Sequence, residues 1–333
     1  MKSATTYARF ARWSLTRACA LLIVTAAAPG WAADAPPTPL HLMLDWYVNP
    51  DHAPLVIAEQ RGLFARHGLE VTIDAPGDPS TPGRLAAAGQ VDVAIGYQPQ
   101  LHLEVDQGLP LKRIGTLVAT PLNTVMVRAD SGIEDLAGLR GRRIGYSVAG
   151  VEQALLRTML EHAGIGIDDV ERVNVNFSLA PALLSGQVDA VIGAYRNVEA
   201  AQLESQGVEP RSFFVEEHGV PVYDELIFVA SPATIAAKGD ALRAFISAVE
   251  EATLWIDNHP EEAWESFRRY DASLDSEVNQ RAFELTLGRF SPSPAALDSG
   301  RYLGMQRFLL EQGLIEREQP LDALAVDLNA PAP

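Results

Sequence analysis

The chain has 333 residues, a formal net charge of −17 and a hydrophobic fraction of 47%. That length allows two domains with sizeable cores, and the acidic balance argues against nucleic acid or an anionic membrane surface as a partner. A single cysteine, Cys19, excludes a disulfide framework and a thiolate metal site.

The first segment reads as an export signal. Lys2, Arg9, Arg12 and Arg17 form a positive region without an acidic residue, and CALLIVTAAA (19–28) is a short apolar run. Pro29-Gly30 breaks the run, and Gly30-Trp31-Ala32 offers a small-x-small cleavage site. The run is too short to span a bilayer. Cys19 stands at its start rather than behind it, which argues against lipidation. Residues 1–32 are therefore expected to be a secretory signal peptide, with the mature, cysteine-free chain in the periplasm. ADAPPTP (33–39) reads as a tether.

Alternating elements follow. LHLMLDW (40–46) is a strand, 53–66 a helix closed by His67-Gly68, and LEVTIDA (69–75) a strand. Residues 80–88 form a helix ending at Gly89, then VDVAIGY (91–97) and LKRIGTLVA (111–119) are strands. A second run begins near 130, with a short helix at 132–139 and GRRIGYSV (141–148) as a strand. In the helix at 152–162, Leu155, Leu156, Met159 and Leu160 form the apolar face. A strand at 170–177, a helix at 179–185, the strand VDAVIGAY (188–195) and a helix at 197–206 complete that run. YDELIFVA (223–230) is a strand, and the remainder to 314 is almost all helical. Leu242, Phe245, Ile246, Val249, Thr253 and Ile256 mark an amphipathic helix, and Pro260 opens the next, with Trp264 and Phe267 inward. Strand–helix–strand order of this kind predicts an α/β fold with mostly parallel sheets.

One phrase occurs twice: LAAAGQVDVAIGY (85–97) and LLSGQVDAVIGAY (183–195). Each copy is a helix end, a glycine stop and a buried strand with a glycine near its carboxyl end. Ligands of open α/β sheets bind outside the carboxyl ends of strands. Tyr97 and Tyr195 stand at those ends, so in two facing lobes they either meet across one cleft or belong to two separate cores.

Enzyme and nucleotide motifs are mostly absent: there is no P-loop, no H-E-x-x-H and no G-x-G-x-x-G after a strand, and the seven histidines are scattered. Gly145-Tyr146-Ser147-Val148-Ala149 resembles a nucleophile elbow but ends in alanine where that motif has glycine, and no triad partners can be assigned. The stretch from Ser147 through Gly150 to Glu152 reads better as a strand-to-helix loop whose free N–H groups hold a polar ligand group. Asp45, Trp46, Asn49 and His52 follow the first strand, and Tyr195, Asn197 and Glu199 follow the second copy of the phrase. Aromatic faces sandwich a planar heterocycle, a carboxylate accepts from an exocyclic amino group and favours a protonated ring nitrogen beside it, and asparagine supplies a donor and an acceptor.

LMLDWYVNPDHAPLVIAEQRGLF, GYQPQ, PLNTVMV, DAVIGAYRNVE and GVPVYDELIFVA resemble the bacterial formylaminopyrimidine-binding proteins of the NMT1/THI5-like family. These are solute-binding components of ABC importers for thiamine pyrimidine precursors. The resemblance runs from about residue 42 to about 230. It implies a two-lobed (type II) periplasmic binding protein with a ligand cleft between lobes, two hinge crossings near 123–128 and 223–228, and a helical C-terminal tail. The expected organisation is a first lobe at 40–127, a second at 128–224, a return of the first at 225–325 and a tail at 326–333. By motif, Trp46, Tyr97 and Tyr195 look like ring-packing residues, Asn49 and Glu199 like hydrogen-bond partners, and the loop of Ser147, Gly150 and Glu152 borders the substituent. Asp45, His52, Asn197, Tyr223 and Glu225 also match, with Asp45 and Glu225 open to a capping or hinge role.

The resemblance further implies a small-molecule pyrimidine ligand, a membrane permease and through it an ATPase subunit as partners, a monomer, and neither cofactor nor metal. Departures at Val48, at SVAGVEQ (147–153) and at Arg196 leave the exact pyrimidine open. Another solute on the same fold (riboflavin, a sulfonate, nitrate or another heterocycle) is the alternative. The fungal pyrimidine synthases of the family consume their own histidine and carry a cysteine-rich motif. His52 falls in the corresponding stretch, but the mature chain has no cysteine, so a non-enzymatic role is expected.

Overall fold

The computed structural model describes residues 36–328, so the expected signal peptide lies outside the described residues. The first half is built from β1 (Thr38–Met43), α1 (Ala53–Gln60), α2 (Leu63–Arg66), β2 (Leu69–Asp74), α3 (Pro82–Ala87), β3 (Val93–Gly96), α4 (Gln98–Asp106) and β4 (Lys112–Val118). The second contains β5 (Asn123–Arg128), β6 (Arg143–Tyr146), α5 (Val151–His162), β7 (Glu171–Asn174), α6 (Leu179–Leu184), β8 (Ala190–Tyr195), α7 (Val198–Ser205) and β9 (Pro210–Phe214). The chain then returns through β10 (Leu226–Ala230) to five helices, α8 (Pro232–Asn258, kinked at Lys238), α9 (Pro260–Phe267), α10 (Glu277–Thr286), α11 (Ser299–Glu311) and α12 (Leu321–Leu324).

Two five-stranded sheets share one plan, β2-β1-β3-β10-β4 and β7-β6-β8-β5-β9. In each, a leading strand pairs parallel with two neighbours: β1 with β2 and β3, β6 with β7 and β8. The remaining pairings are antiparallel, through β10 and β5. The sheets are therefore mixed: four strands of each run in one direction and only the exchanged strand, β10 or β5, runs against them. Each exchanged strand arrives from the other half and enters its sheet from the opposite end, a direction that residue types do not encode.

The repeated phrase performs the same local work twice. Gly89 and Gly186 follow α3 and α6 with φ of +69° and +74°, the left-handed conformation that ends a helix at least cost with glycine. The aspartate three residues later ties the next strand to the leading one. Asp92 Oδ2 accepts from the His41 N–H and Asp189 Oδ2 from the Arg143 N–H, both at 2.9 Å.

Several expected boundaries move. β1 starts at Thr38, so the end of the expected tether is already strand, paired with β2. The helix expected at 53–66 is two helices, because Gly62 adopts φ +65° between them. Residues 132–139 contain no α-helix but a 3₁₀ turn at Leu136–Leu139, capped by Asp135. The change of sheet precedes β5, one strand earlier than a division at 127/128, so the crossing segments are 119–122 and 215–225. The described part of the expected tail, 326–328, is docked: Val326 N–H donates to the Arg113 carbonyl, and Leu328 is buried. The apolar stripe of α8 from Leu242 to Ile256 is buried as its periodicity predicts, as are Leu155, Leu156, Met159 and Leu160 on α5.

Candidate functional site

A cavity of about 560 Å³, its open mouth included, lies at the carboxyl ends of strands from both sheets. That size falls in the range of small-molecule sites. The loop after β1 supplies Asp45, Trp46 and Asn49. The end of β3 supplies Tyr97, with Pro99 behind it. The start of α5 supplies Val151, Glu152 and Leu155, and Leu179 comes from α6. β8 supplies Gly193 and Tyr195, α7 supplies Val198 and Glu199, the start of β5 supplies Asn123, and the second crossing supplies Tyr223 and Glu225. Tyr97 and Tyr195, the last residues of the two copies of the phrase, thus face one cavity.

The carboxyl groups are held in different ways. Asp45 is committed on both oxygens: Tyr97 Oη donates to Oδ2 at 2.9 Å, and His52 Nε2 stands 2.9 Å from Oδ1. His52 Nδ1 accepts from the Asn49 N–H at 3.3 Å, which places the ring proton on Nε2, toward Asp45. Glu225 Oε2 accepts from the N–H groups of Leu122 and Asn123 and from Tyr223 Oη, while Tyr195 Oη reaches Oε1 at 3.4 Å. A side chain on the second crossing therefore clasps the backbone of the first. Glu152 is held by main-chain donors only, Ser147 N–H at 2.7 Å with Val148 beside it, and Glu199 likewise by Tyr195 N–H at 2.7 Å and its own N–H. Burial disfavours the charged form. It pushes Glu152 up to about 8, Glu199 and Glu225 up to about 7, and Asp51 beneath the cavity wall up to about 6.

Gly193 is required twice. Its φ is +92°, and a Cβ there would collide with the Glu152 carboxyl group. Its N–H donates to Asn123 Oδ1 at 3.0 Å, fixing that amide at the cavity wall. Trp46 reaches across the cleft, its ring edge-on to Phe177 of the second half at a centroid distance of 4.6 Å.

Four expected site residues stand behind the lining. Ser147 is buried, donates from Oγ to the Asn176 carbonyl and, through its N–H, orients Glu152. That arrangement gives the elbow-like motif no base. Gly150 caps α5 at φ +90°. His52 is 1% exposed and orients Asp45. Asn197 Nδ2 donates to Asp51 Oδ1 at 2.6 Å and contacts Thr286 Oγ1 at 2.7 Å, joining the β1 loop, α7 and α10. Arg196 turns away to Glu216, with both contacts at 2.8 Å, and lies over the Phe214 ring.

Pro99, Asn123, Val151, Leu155, Leu179, Gly193 and Val198 line the cavity without having been singled out as site residues. Gly193 was visible as the glycine closing the second phrase. The apolar ones carry no signal beyond core periodicity. Among the described residues, no group of His, Cys, Asp or Glu side chains is arranged to hold a metal ion.

The chain is 48% identical over 291 residues to a Haemophilus influenzae protein named "Putative thiamine biosynthesis protein", covering 87% of this chain and 92% of the relative. It is 36% identical to the formylaminopyrimidine-binding protein of Halalkalibacterium halodurans, covering 67% and 68%. More distantly, it is 28% identical to the 4-amino-5-hydroxymethyl-2-methylpyrimidine phosphate synthase of Aspergillus parasiticus, covering 75% of each chain. Among solved structures it superposes on the alkanesulfonate-binding protein of Xanthomonas axonopodis pv. citri with a TM-score of 0.69 at 20% identity, covering 85% of this chain and 96% of that one. A Candida albicans protein described as having the generic periplasmic binding protein fold gives a TM-score of 0.70 at 20% identity, covering 89% and 98%. The fold is thus that of the periplasmic binding proteins. The family model described as NMT1/THI5 like matches residues 49–263, and the chain belongs to that family.

Proposed function

We propose that the chain is the periplasmic solute-binding protein of an ABC importer for an aminopyrimidine thiamine precursor, formylaminopyrimidine or hydroxymethylpyrimidine. The observation that carries this reading is the meeting of Trp46, Tyr97, Tyr195 and Glu199 around one cavity of ligand size. Its aromatic faces suit a planar ring, and its carboxyl groups suit an exocyclic amino group. The formylaminopyrimidine-binding relative supports the same solute class. In this reading the signal peptide is removed on export and the mature protein is monomeric. Ligand bridging the two halves shifts the population toward a closed form, which the permease recognises before its ATPase drives uptake.

Calorimetric titration of residues 33–333 with formylaminopyrimidine, hydroxymethylpyrimidine and thiamine tests the proposal. Submicromolar binding of one pyrimidine supports it, and silence with all three removes it. The synthase-named relatives favour one competing reading, in which His52 is consumed. The burial of His52 and its engagement on both nitrogens oppose that role. Loss of mass at His52 on incubation with cofactor would reinstate it. A sulfonate or nitrate ligand is opposed by the lining, which contains no lysine or arginine.

A further inference from the structure

The tyrosine hydroxyls and several main-chain donors of the cavity walls are already spent. Tyr97 Oη is spent on Asp45, and Tyr195 and Tyr223 hydroxyls on Glu225. The Ser147, Tyr195 and Gly193 N–H groups are spent on Glu152, Glu199 and Asn123. The Asn49 amide donates to the Tyr47 carbonyl at 3.3 Å. Once ionised, the carboxyl groups offer the interior acceptor capacity, about four lone-pair sites each. The capacity is uneven. Asp45 and Glu225 are each engaged by side chains of the wall, whereas Glu152 and Glu199 are held by backbone N–H groups alone and have no side-chain hydrogen-bond partner. The basic side chains nearby serve elsewhere: His52 donates to Asp45, and Arg196 pairs with Glu216.

Resting on the reading above, we propose that the cleft takes its amino-heteroaromatic ligand as a monocation, with the exocyclic amino group and a protonated ring nitrogen shared between Glu152 and Glu199. A buried cation is tolerated only beside such partners. The proton balance is explicit. When the receiving carboxyl group is protonated, its O–H bond breaks as the ring N–H bond forms, and no proton is exchanged with solvent. When it is ionised, one proton is drawn from solvent. Burial holds both glutamates in the protonated form up to near-neutral pH, so the internal transfer dominates there. The other titratable groups facing this pair are Asp51 and Tyr47 beside Glu199, and Glu225 and Tyr97 beside Glu152.

The test is ¹⁵N NMR of hydroxymethylpyrimidine labelled in the ring, bound to the full mature chain at a pH where the free ligand is neutral. A bound ring-nitrogen signal at the position shown by the free ligand in acid is expected. A signal at the free-base position overturns the proposal while leaving the solute assignment intact. Glu152→Gln and Glu199→Gln should each weaken binding more than about tenfold and return the signal toward the free base. Should either variant fail to fold, the wild-type spectrum still decides. If no pyrimidine binds, the solute reading fails, and thermal shifts with benzamidine, benzamide and benzoate decide the charge. Stabilisation by benzamidine alone is expected, and no shift with it, or an equal shift with benzoate, overturns the proposal.

Discussion

The carboxyl group of Glu152 occupies the space in which a side chain at Gly193 would begin. Two elements distant in sequence, α5 and β8, are therefore fitted to each other through the absence of one atom. Gly193→Ala should cost about 1–2 kcal/mol for the positive φ alone, and more for displacing Glu152. Gly89→Ala is the control, because Gly89 also has positive φ but open space around it. Chemical denaturation should show the larger loss at Gly193, and calorimetry should show loss of ligand affinity only there.

Asn197 behaves in this structure as a tie. Its amide contacts Asp51 and Thr286, all three residues are buried, and they come from three separate parts of the chain. Asn197→Ala leaves Asp51 short of a donor and should destabilise the protein by about 1–3 kcal/mol. Affinity should fall for all pyrimidines by a common factor, because the lining is untouched. A change in the ratio of affinities between two pyrimidines would instead place Asn197 in contact with ligand.

The buried carboxyl groups set a pH dependence. Asp51, Glu199, Glu225 and Glu152 have folded-state values of about 6, 7, 7 and 8, all above the ordinary carboxylate range. The folded protein therefore binds more protons than the unfolded chain between about pH 4.5 and 8, and stability falls as pH rises through that window. Each such proton contributes about 1.4 kcal/mol per pH unit where it is fully linked. The unliganded melting temperature should be highest near pH ~5 and drop by several degrees by pH ~8.5. In the Glu152→Gln, Glu199→Gln double variant the drop should be smaller.

Trp46 and Phe177 meet across the mouth of the cleft. Such an edge-on pair is worth about 0.5–1.5 kcal/mol beyond its buried area. Phe177 is not part of the cavity lining, so Phe177→Ala tests closure with the site itself intact. Ligand dissociation should accelerate about three- to tenfold with little change in association rate. Stopped-flow measurement of both rates checks this.

Much of the fold and part of the site were legible in the residues. The repeated phrase was readable because its residue types act physically at fixed places: glycine stops the helix, aspartate ties two strands, and tyrosine ends the strand at the cavity. Strand direction was not readable, since β5 and β10 have the apolar composition of any central strand. α4 was missed because Gln98 and Pro99 after a strand resemble a loop, and QPQLHLEVD lacks a clean apolar stripe. β9 is a short edge strand without alternation. Polar residues in the site loops were recognised by type, but type does not reveal which way a side chain points. Ser147, His52 and Asn197 point into the wall, where Ser147 and His52 hold up Glu152 and Asp45 and Asn197 ties Asp51 to Thr286. Asn123 sat unnoticed in a segment read only as a crossing.

The clasp of Glu225 on Leu122 and Asn123 also has a mechanical side. The exchanged strands β10 and β5 lie directly beside β3 and β8, with Ile227 paired to Gly96 and Asn123 to Tyr195. The cavity is therefore built against the axle, one strand spacing away, whereas β2 and β7 lie three spacings out, about 14 Å at about 4.8 Å per strand. For a rotation about the crossings, a displacement at Tyr97 or Tyr195 grows about threefold at those outer strands. A ligand slightly too large or too small for the cavity would thus become a larger misfit on the protein's outer edges, far from the ligand itself.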